Sequence, residues 1–417
     1  MLIRTFIKNN LFLIFSCALM MALVLFRKAT PYFIGLWFLS AVYESFQNKD
    51  YSFHSNLKWS LLIASLFFLY LMGFLFSDFT RDASKALEIK ASFLIFPLGF
   101  FLRRKSISTK DIYYILFAFQ VGCFLSATYL FSRFLPEYFS HSPLFTDNGF
   151  TYAFRTFGEK TLGVHATYLS IFYLLSIFIQ LKIKEVREIV KNKKIAQVFN
   201  LAHVLILSIF SLLLVARAPL LAFLVGFAAV EMIQNWKRGL SVLIAGIVLL
   251  VVAVLFVPSI GNRFKEAINS TEVTENAQSV NSSSLRKSIF NCSKKVISEN
   301  WVMGVGLDNI QNELNECYDS YNNTELSTSF YNSHNQYFDL MLGLGILGLI
   351  SFLMIQIFPF NNPKALTFSL LLFFKVFMAI CFLTENILNR QHGVVFFVFF
   401  NCILISNYLW QKKQDKT

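Results

Sequence analysis

Long apolar runs alternate with short polar breaks along almost the whole chain. Twelve of them approach membrane-spanning length: roughly 10–26, 31–47, 57–76, 86–102, 112–135, 164–182, 198–215, 218–234, 240–257, 335–358, 365–383 and 393–410. A helix crossing about 30 Å of hydrocarbon at about 1.5 Å per residue needs runs of this size. The pattern predicts an all-α polytopic membrane protein of about twelve transmembrane helices, because in lipid each backbone polar group must be satisfied within its own segment. Phe26-Arg27-Lys28-Ala29-Thr30-Pro31 carries the first run straight into the second without a small-residue cleavage pattern, so the first run reads as a retained span.

One stretch breaks the rhythm. Residues 258–332 are hydrophilic and divide the chain into helices 1–9 (1–257), a long loop (258–332), and helices 10–12 with a tail (333–417). The loop opens polar, from Asn269 to Ser284, and this part reads as mobile. Leu285, Ile289, Cys292 and Val296 then recur at helical spacing, and so do Leu307, Ile310, Leu314 and Cys317 after Gly304-Val305-Gly306. Two short amphipathic helices are expected, lying on the outer surface of the bundle. Cys292 and Cys317 are the two cysteines outside the spans, and either a disulfide or two buried thiols would suit them.

Composition agrees with the pattern: 56% of residues are apolar, 17% aromatic with 50 Phe, and only 15% charged. Mean hydropathy is +0.56. These values exclude a soluble enzyme domain, a nucleic-acid-binding module and a disulfide-framed secreted domain. The net charge of +13 suggests a polyanion binder only until the basic residues are mapped. With the N-terminus inside, the inner pieces hold 20 Lys and Arg against 10 in the short outer loops. The bias places both termini in the cytoplasm and the long loop outside.

Candidate chemistry gathers on that outer side. Ser333-His334-Asn335-Gln336 matches an S-x-x-Q capping box, which would put His334 in the first turn of the tenth span. The helix dipole there disfavours the imidazolium, and a neutral imidazole suits a general base. Asp339 falls on a different face of that helix. Val215-Ala216-Arg217-Ala218-Pro219 is a hairpin with Pro219 in a first helical turn, so Arg217 meets unpaired backbone N–H groups, an arrangement suited to phosphate. The alternative for Arg217 is a charge reaching lipid headgroups. Arg286 by itself reads as an ordinary solvated charge beside the apolar stripe of the first loop helix. Arg155, His165 and the Glu385–Asn386–Arg390–His392 group are also outer. Lys375 lies mid-span and needs a partner, with Asp339 one candidate. The six histidines are scattered with no metal-ligand spacing, and Gly343-Leu344-Gly345-Ile346-Leu347-Gly348 reads as close helix packing. Neither a metal nor a cofactor is expected, so the energy for a reaction must come from an activated substrate.

Ser333-His334-Asn335-Gln336-Tyr337 followed by Gly345-Ile346-Leu347-Gly348-Leu349 resembles the O-antigen ligase and O-antigen polymerase superfamily of membrane glycosyltransferases. So do Ala216-Arg217-Ala218-Pro219-Leu220-Leu221, Arg286 with Trp301-Val302-Met303-Gly304-Val305-Gly306, Gly163-Val164-His165-Ala166-Thr167-Tyr168, and the hairpin from Leu383 to Gln391. Ala216 and Ala166 stand where the family often has Ser and Pro. The resemblance covers roughly 150–400 and implies a metal-independent enzyme of the bacterial inner membrane acting on its periplasmic face. The implied donor is an undecaprenyl-diphosphate-linked glycan. Arg217 and Arg286 would hold the diphosphate and His334 would assist the acceptor hydroxyl, with Arg155, His165, Glu385 and Arg390 as accessory residues. Lipid A-core is the expected acceptor, as for a ligase in lipopolysaccharide biosynthesis, since the outer loop at 136–163 has 28 residues against 75 in the long one. The alternative is a polymerase extending the lipid-linked glycan, and more remotely a lipid or polysaccharide transporter. The expected partners are donor, acceptor and bilayer, with no nucleic acid.

Overall fold

The computed structural model describes residues 10–47, 53–103, 107–140, 149–256, 265, 282–321, 323, 326, 328–358 and 368–414. Of the polar stretch 269–284, expected to be mobile, 269–281 lies outside them, and Ser282–Ser284 open a helix instead. The described residues are helical, with no strand among them. The first half holds α1 (Leu11–Leu25), α2 (Thr30–Gln47), α3 (Phe53–Leu75), α4 (Arg81–Lys90), α5 (Ser92–Arg103), α6 (Thr109–Phe139), α7 (Gly149–Leu162) and α8 (Ala166–Lys182). After a single turn at Lys184–Arg187 come α9 (Lys193–Leu213), α10 (Arg217–Gln234) and α11 (Trp236–Phe256). The long loop contributes α12 (Ser282–Asn300) and α13 (Ile310–Asp319), and the chain finishes with α14 (Gln336–Ile357), α15 (Phe368–Phe382) and α16 (Gln391–Gln414).

Each of the twelve apolar runs holds a helix among its described residues, but they are not twelve equal spans. Among the described residues six helices are long and apolar enough to cross a membrane: 57–75, 109–139, 193–213, 217–234, 336–357 and 391–408. A seventh counts if α7 and α8, bent by 90° across a short break, form one span. The run at 86–102 is interrupted at Ala91, where polar α4 gives way to apolar α5. Part of the expected loop 136–163 is helical too, as the end of α6 and as α7.

α16 is the central post, with 94% of its apolar window buried. It is hydrophobic all round, as a fully enclosed helix should be. Phe396 and Phe400 meet Phe172 at 4.7 Å, Phe119 at 5.2 Å and Phe374 at 5.5 Å, which shows where much of the phenylalanine goes. In hydrocarbon, apolar burial alone does little to hold helices together, so close packing and inter-helix hydrogen bonds matter more. Buried Gln120 donates to Gln180 at 2.8 Å, Gln180 to Asn200 at 2.6 Å, and Ser176 pairs with His203 at 2.9 Å, tying α6, α8 and α9. Such bonds contribute about 0.6 kcal/mol each on average in membrane proteins.

Ion pairs orient the bundle. Lys182 at the end of α8 pairs with buried Glu231 near the end of α10, which also faces Arg238 at 3.8 Å. The starts of α8 and α10, bearing His165 and Arg217, therefore share the opposite end. Lys375 does not pair with Asp339: its ammonium donates to the Ile355 carbonyl.

The loop helices form as their stripes predict. Leu285, Ile289, Cys292, Val296 and Leu314 make a small core with Leu342 of α14. Leu307 belongs to the second stripe but precedes α13 rather than lying in it. Cys292 and Cys317 are disulfide-bonded, with Cα atoms 5.7 Å apart.

Candidate active site

The hairpin between α15 and α16 is the frame on which the site is built. Ile387 and Leu388 are fully buried and anchor a short 3-10 turn at Ile387–Asn389. Their backbone groups are held from three directions. The Leu388 N–H donates to Gln336 Oε1 at 2.7 Å, Tyr168 Oη donates to the Ile387 carbonyl at 3.2 Å, and Lys90 Nζ donates to the Leu388 carbonyl at 2.5 Å. Asp339 is the polar centre beneath, accepting from Asn389 at 2.7 Å, Asn386 at 2.9 Å and Gln336 at 3.1 Å. A carboxylate could not be kept so deeply buried without such donors.

This network corrects the capping-box expectation. Asn335, not Ser333, caps α14, its side chain accepting from the Tyr337 and Phe338 N–H groups. Gln336 turns to Asp339 and the hairpin instead of reaching back. The Ser333 hydroxyl accepts from Asn386 at 3.1 Å and donates to the Asn335 carbonyl at 3.1 Å. His334 thus lies ahead of the helix at φ 45°, its N–H bonded to Asn332 Oδ1 at 3.0 Å. Its position outside the first turn weakens the dipole argument for a neutral imidazole.

The left-handed backbone at His334 turns its ring toward Glu385. Nδ1 stands 3.7 Å from Glu385 Oε2, an ion-pair distance rather than a hydrogen bond, and has no hydrogen-bond partner. Burial pushes the Glu385 carboxyl up, but nearby His334, His165 and Arg286 outweigh it and hold it below the usual glutamate range. The structure therefore brings the loop arginine, His334 and His165 near one carboxylate.

His165 caps α8, Nδ1 accepting from the Thr167 N–H at 3.3 Å. Nε2 then faces Glu159 at 3.5 Å and Arg155 at 3.4 Å. Burial lowers the affinity of His165 for a second proton, the carboxylates of Glu159 and Glu385 oppose this, and Arg155 and Arg390 reinforce it. The net shift is downward, in favour of the neutral imidazole. Arg27 donates to the Gly163 carbonyl at 2.5 Å, holding the bend between α7 and α8. Arg390 is exposed at the rim. Arg217 is the first residue of α10, after Val215 at φ 52°, and is exposed at the same end of the bundle.

Of the residues expected from sequence, His334, Glu385, Arg286, His165, Arg155 and Arg390 gather electrostatically, and Arg217 lies at the same end of the bundle. Missed were Glu159, Lys90 and Arg27. Lys90 and Arg27 act through backbone carbonyls remote in sequence, which no local pattern encodes. Glu159, four residues after Arg155 on a helix, was detectable as an ion-pair spacing. Among the described residues no three His, Cys, Asp or Glu side chains converge to hold a metal.

A helix-start arginine, a loop-helix arginine and a histidine ahead of a broken membrane helix stand in this order in one stretch of chain. Residues 202–353 match the O-antigen ligase family model. The match supports the O-antigen ligase and polymerase superfamily and indicates a membrane glycosyltransferase of that type. No curated protein matches the chain. The O-antigen ligase region takes in Arg217, Arg286 and His334 but less than half of the chain. Arg155 and His165 come from segments before it, and Glu385 and Arg390 from the hairpin after it.

Proposed function

We propose that the protein transfers a glycan from an undecaprenyl-diphosphate carrier to a hydroxyl of an acceptor sugar, as an O-antigen ligase acting on lipid A-core. The observation that carries this reading is His334, with an unpartnered Nδ1 facing Glu385 among arginines. A closure of under 1 Å would let Glu385 hold a proton on Nδ1 and leave Nε2 to take the acceptor proton, and catalytic contacts often tighten only with substrate bound. The acceptor oxygen attacks the anomeric carbon as the bond to the diphosphate breaks. Arg286 and Arg217, with the α10 N-terminus, stabilise the negative charge that develops on the leaving group. The activated donor supplies the driving force. The twelve apolar helices are read as one bundle of the bacterial inner membrane, both termini cytoplasmic and the site periplasmic.

Polymerase activity is the second reading. It is favoured by α7, whose Arg155 and Glu159 reach the site, so that two outer segments and not one contribute to it. Purified protein supplied with lipid-linked glycan, with and without lipid A-core, separates the two. Transfer requiring lipid A-core supports the ligase, and chain growth on the carrier alone supports the polymerase. Product in neither mixture overturns both.

A further inference from the structure

α14 contains a break. Gly345 has φ 63° and ψ −157°, a conformation open essentially to glycine alone, and it diverts the Ile346 N–H from the Leu342 carbonyl, its partner in a continuous helix. Both groups are satisfied from the long loop. The Ile346 N–H donates to the Trp301 carbonyl at 2.9 Å and the Val302 carbonyl at 3.3 Å, while the Leu342 carbonyl accepts from the Val305 N–H at 2.7 Å. Gly304, at φ 73°, lets the two backbones touch, since a side-chain carbon there would meet the Leu342 carbonyl oxygen. The glycine run expected to serve helix packing therefore receives a loop.

This exchange fixes the depth of the loop. Ile346 lies about 15 Å along α14 from its start. Leu307, just beyond the turn, packs on bare backbone at Gly343 of α14 and at Gly73 near the end of α3. Both helices are long and apolar enough to span a membrane. Undocking the turn would leave an orphaned N–H and C=O inside a span, so the turn belongs to the span rather than to the water above it. Its outward side chains are Trp301, Val302 and Met303, exposed by 53%, 47% and 73%. Just past Ile346, which the turn caps, α14 also exposes apolar Leu347 and Ile350. Phe290 and Phe330 of the loop are exposed singly, but Trp301, Val302 and Met303 are three in a row, and an exposed apolar cluster fits hydrocarbon rather than water.

We infer that the Trp301–Met303 turn is sunk into the bilayer leaflet on the side that bears the site and touches lipid acyl chains there. The long loop is thus partly a membrane element, not wholly an outer cap. The inference is independent of the transfer chemistry. Its test uses the full-length protein with Cys17→Ser, the disulfide intact, in phosphatidylethanolamine–phosphatidylglycerol liposomes. A nitroxide is attached at Met303→Cys and, for comparison, at exposed Asn312→Cys. Power-saturation spectroscopy compares access of oxygen, which partitions into lipid, with access of an aqueous nickel chelate. The expected result is a several-fold excess of oxygen over nickel access at 303 and the reverse at 312. Equal nickel access at the two positions overturns the inference. Because spin labels perturb, a second measurement uses the native tryptophan: lipids brominated on their acyl chains should quench a fluorescence component of the unmodified protein that Trp301→Phe lacks. Identical fractional quenching in both also overturns it.

Discussion

His334 occupies a left-handed backbone conformation that non-glycine residues adopt at a cost, and Ser333, Asn335 and Asn386 hold it there. His334→Ala should leave the protein inserted but lower turnover by about 10²- to 10⁴-fold, the range for one general acid–base group. His334→Gln keeps hydrogen bonding without proton transfer, and wild-type rates from it in a purified assay would exclude the base role. Arg217→Lys should damage transfer nearly as much as Arg217→Ala, because Lys keeps the charge but loses the two-pronged geometry. Normal transfer by the Lys variant would instead mark a headgroup anchor. Glu385 titrates below the ordinary glutamate value of 4.5 despite its burial. Its ionised form therefore stabilises the fold fully above that value, and this contribution is lost as pH falls through the lowered folded-state pKa. The wild type should out-melt Glu385→Gln at pH 7, with the gap in thermal midpoint closing below about pH 4. A gap constant with pH would mean the charge is not what stabilises. The chemical types His, Arg and Glu were readable from sequence, but their convergence on Glu385 was not, since His334, Arg286 and His165 stand 51, 99 and 220 positions from it.

The amphipathic stripes of the two loop helices were legible because side chains three and four apart share a face, and Leu285, Ile289, Cys292 and Val296 are all buried together. The start of α14 was misread because Ser333 and Asn335 are both good caps, and only the contact with Asn386 decides between them. The glycine run was misread because a sequence shows that backbones can approach there, not which backbone does. Gly345→Ala should lower the unfolding temperature in detergent, the strained backbone alone costing about 1–3 kcal/mol and the added carbon striking the Val302 carbonyl. An unchanged midpoint would mean that the turn is not locked to α14.

Charge is sorted between the two ends of the molecule. Arg103 with Glu44, and Lys182 and Arg238 with Glu231, lie on the side that the basic-residue bias labels inside, and the histidine–carboxylate cluster lies at the other. Cysteine at Asn312 should accordingly react with an impermeant reagent from outside intact cells, and cysteine at 188–194 should not. The opposite pattern would invert the topology. By itself the sequence determined the helical membrane class, the helical runs, the amphipathic loop stripes and the residue types able to handle a diphosphate and a hydroxyl. Each follows from periodicity or hydropathy over neighbouring residues. Only the tertiary structure decided that Asp339 serves the hairpin and not Lys375, that His334 faces Glu385, and that the long loop closes the break in α14. Each of these depends on which partner satisfies a buried polar group, and that choice is made between segments whose separation along the chain carries no local signal.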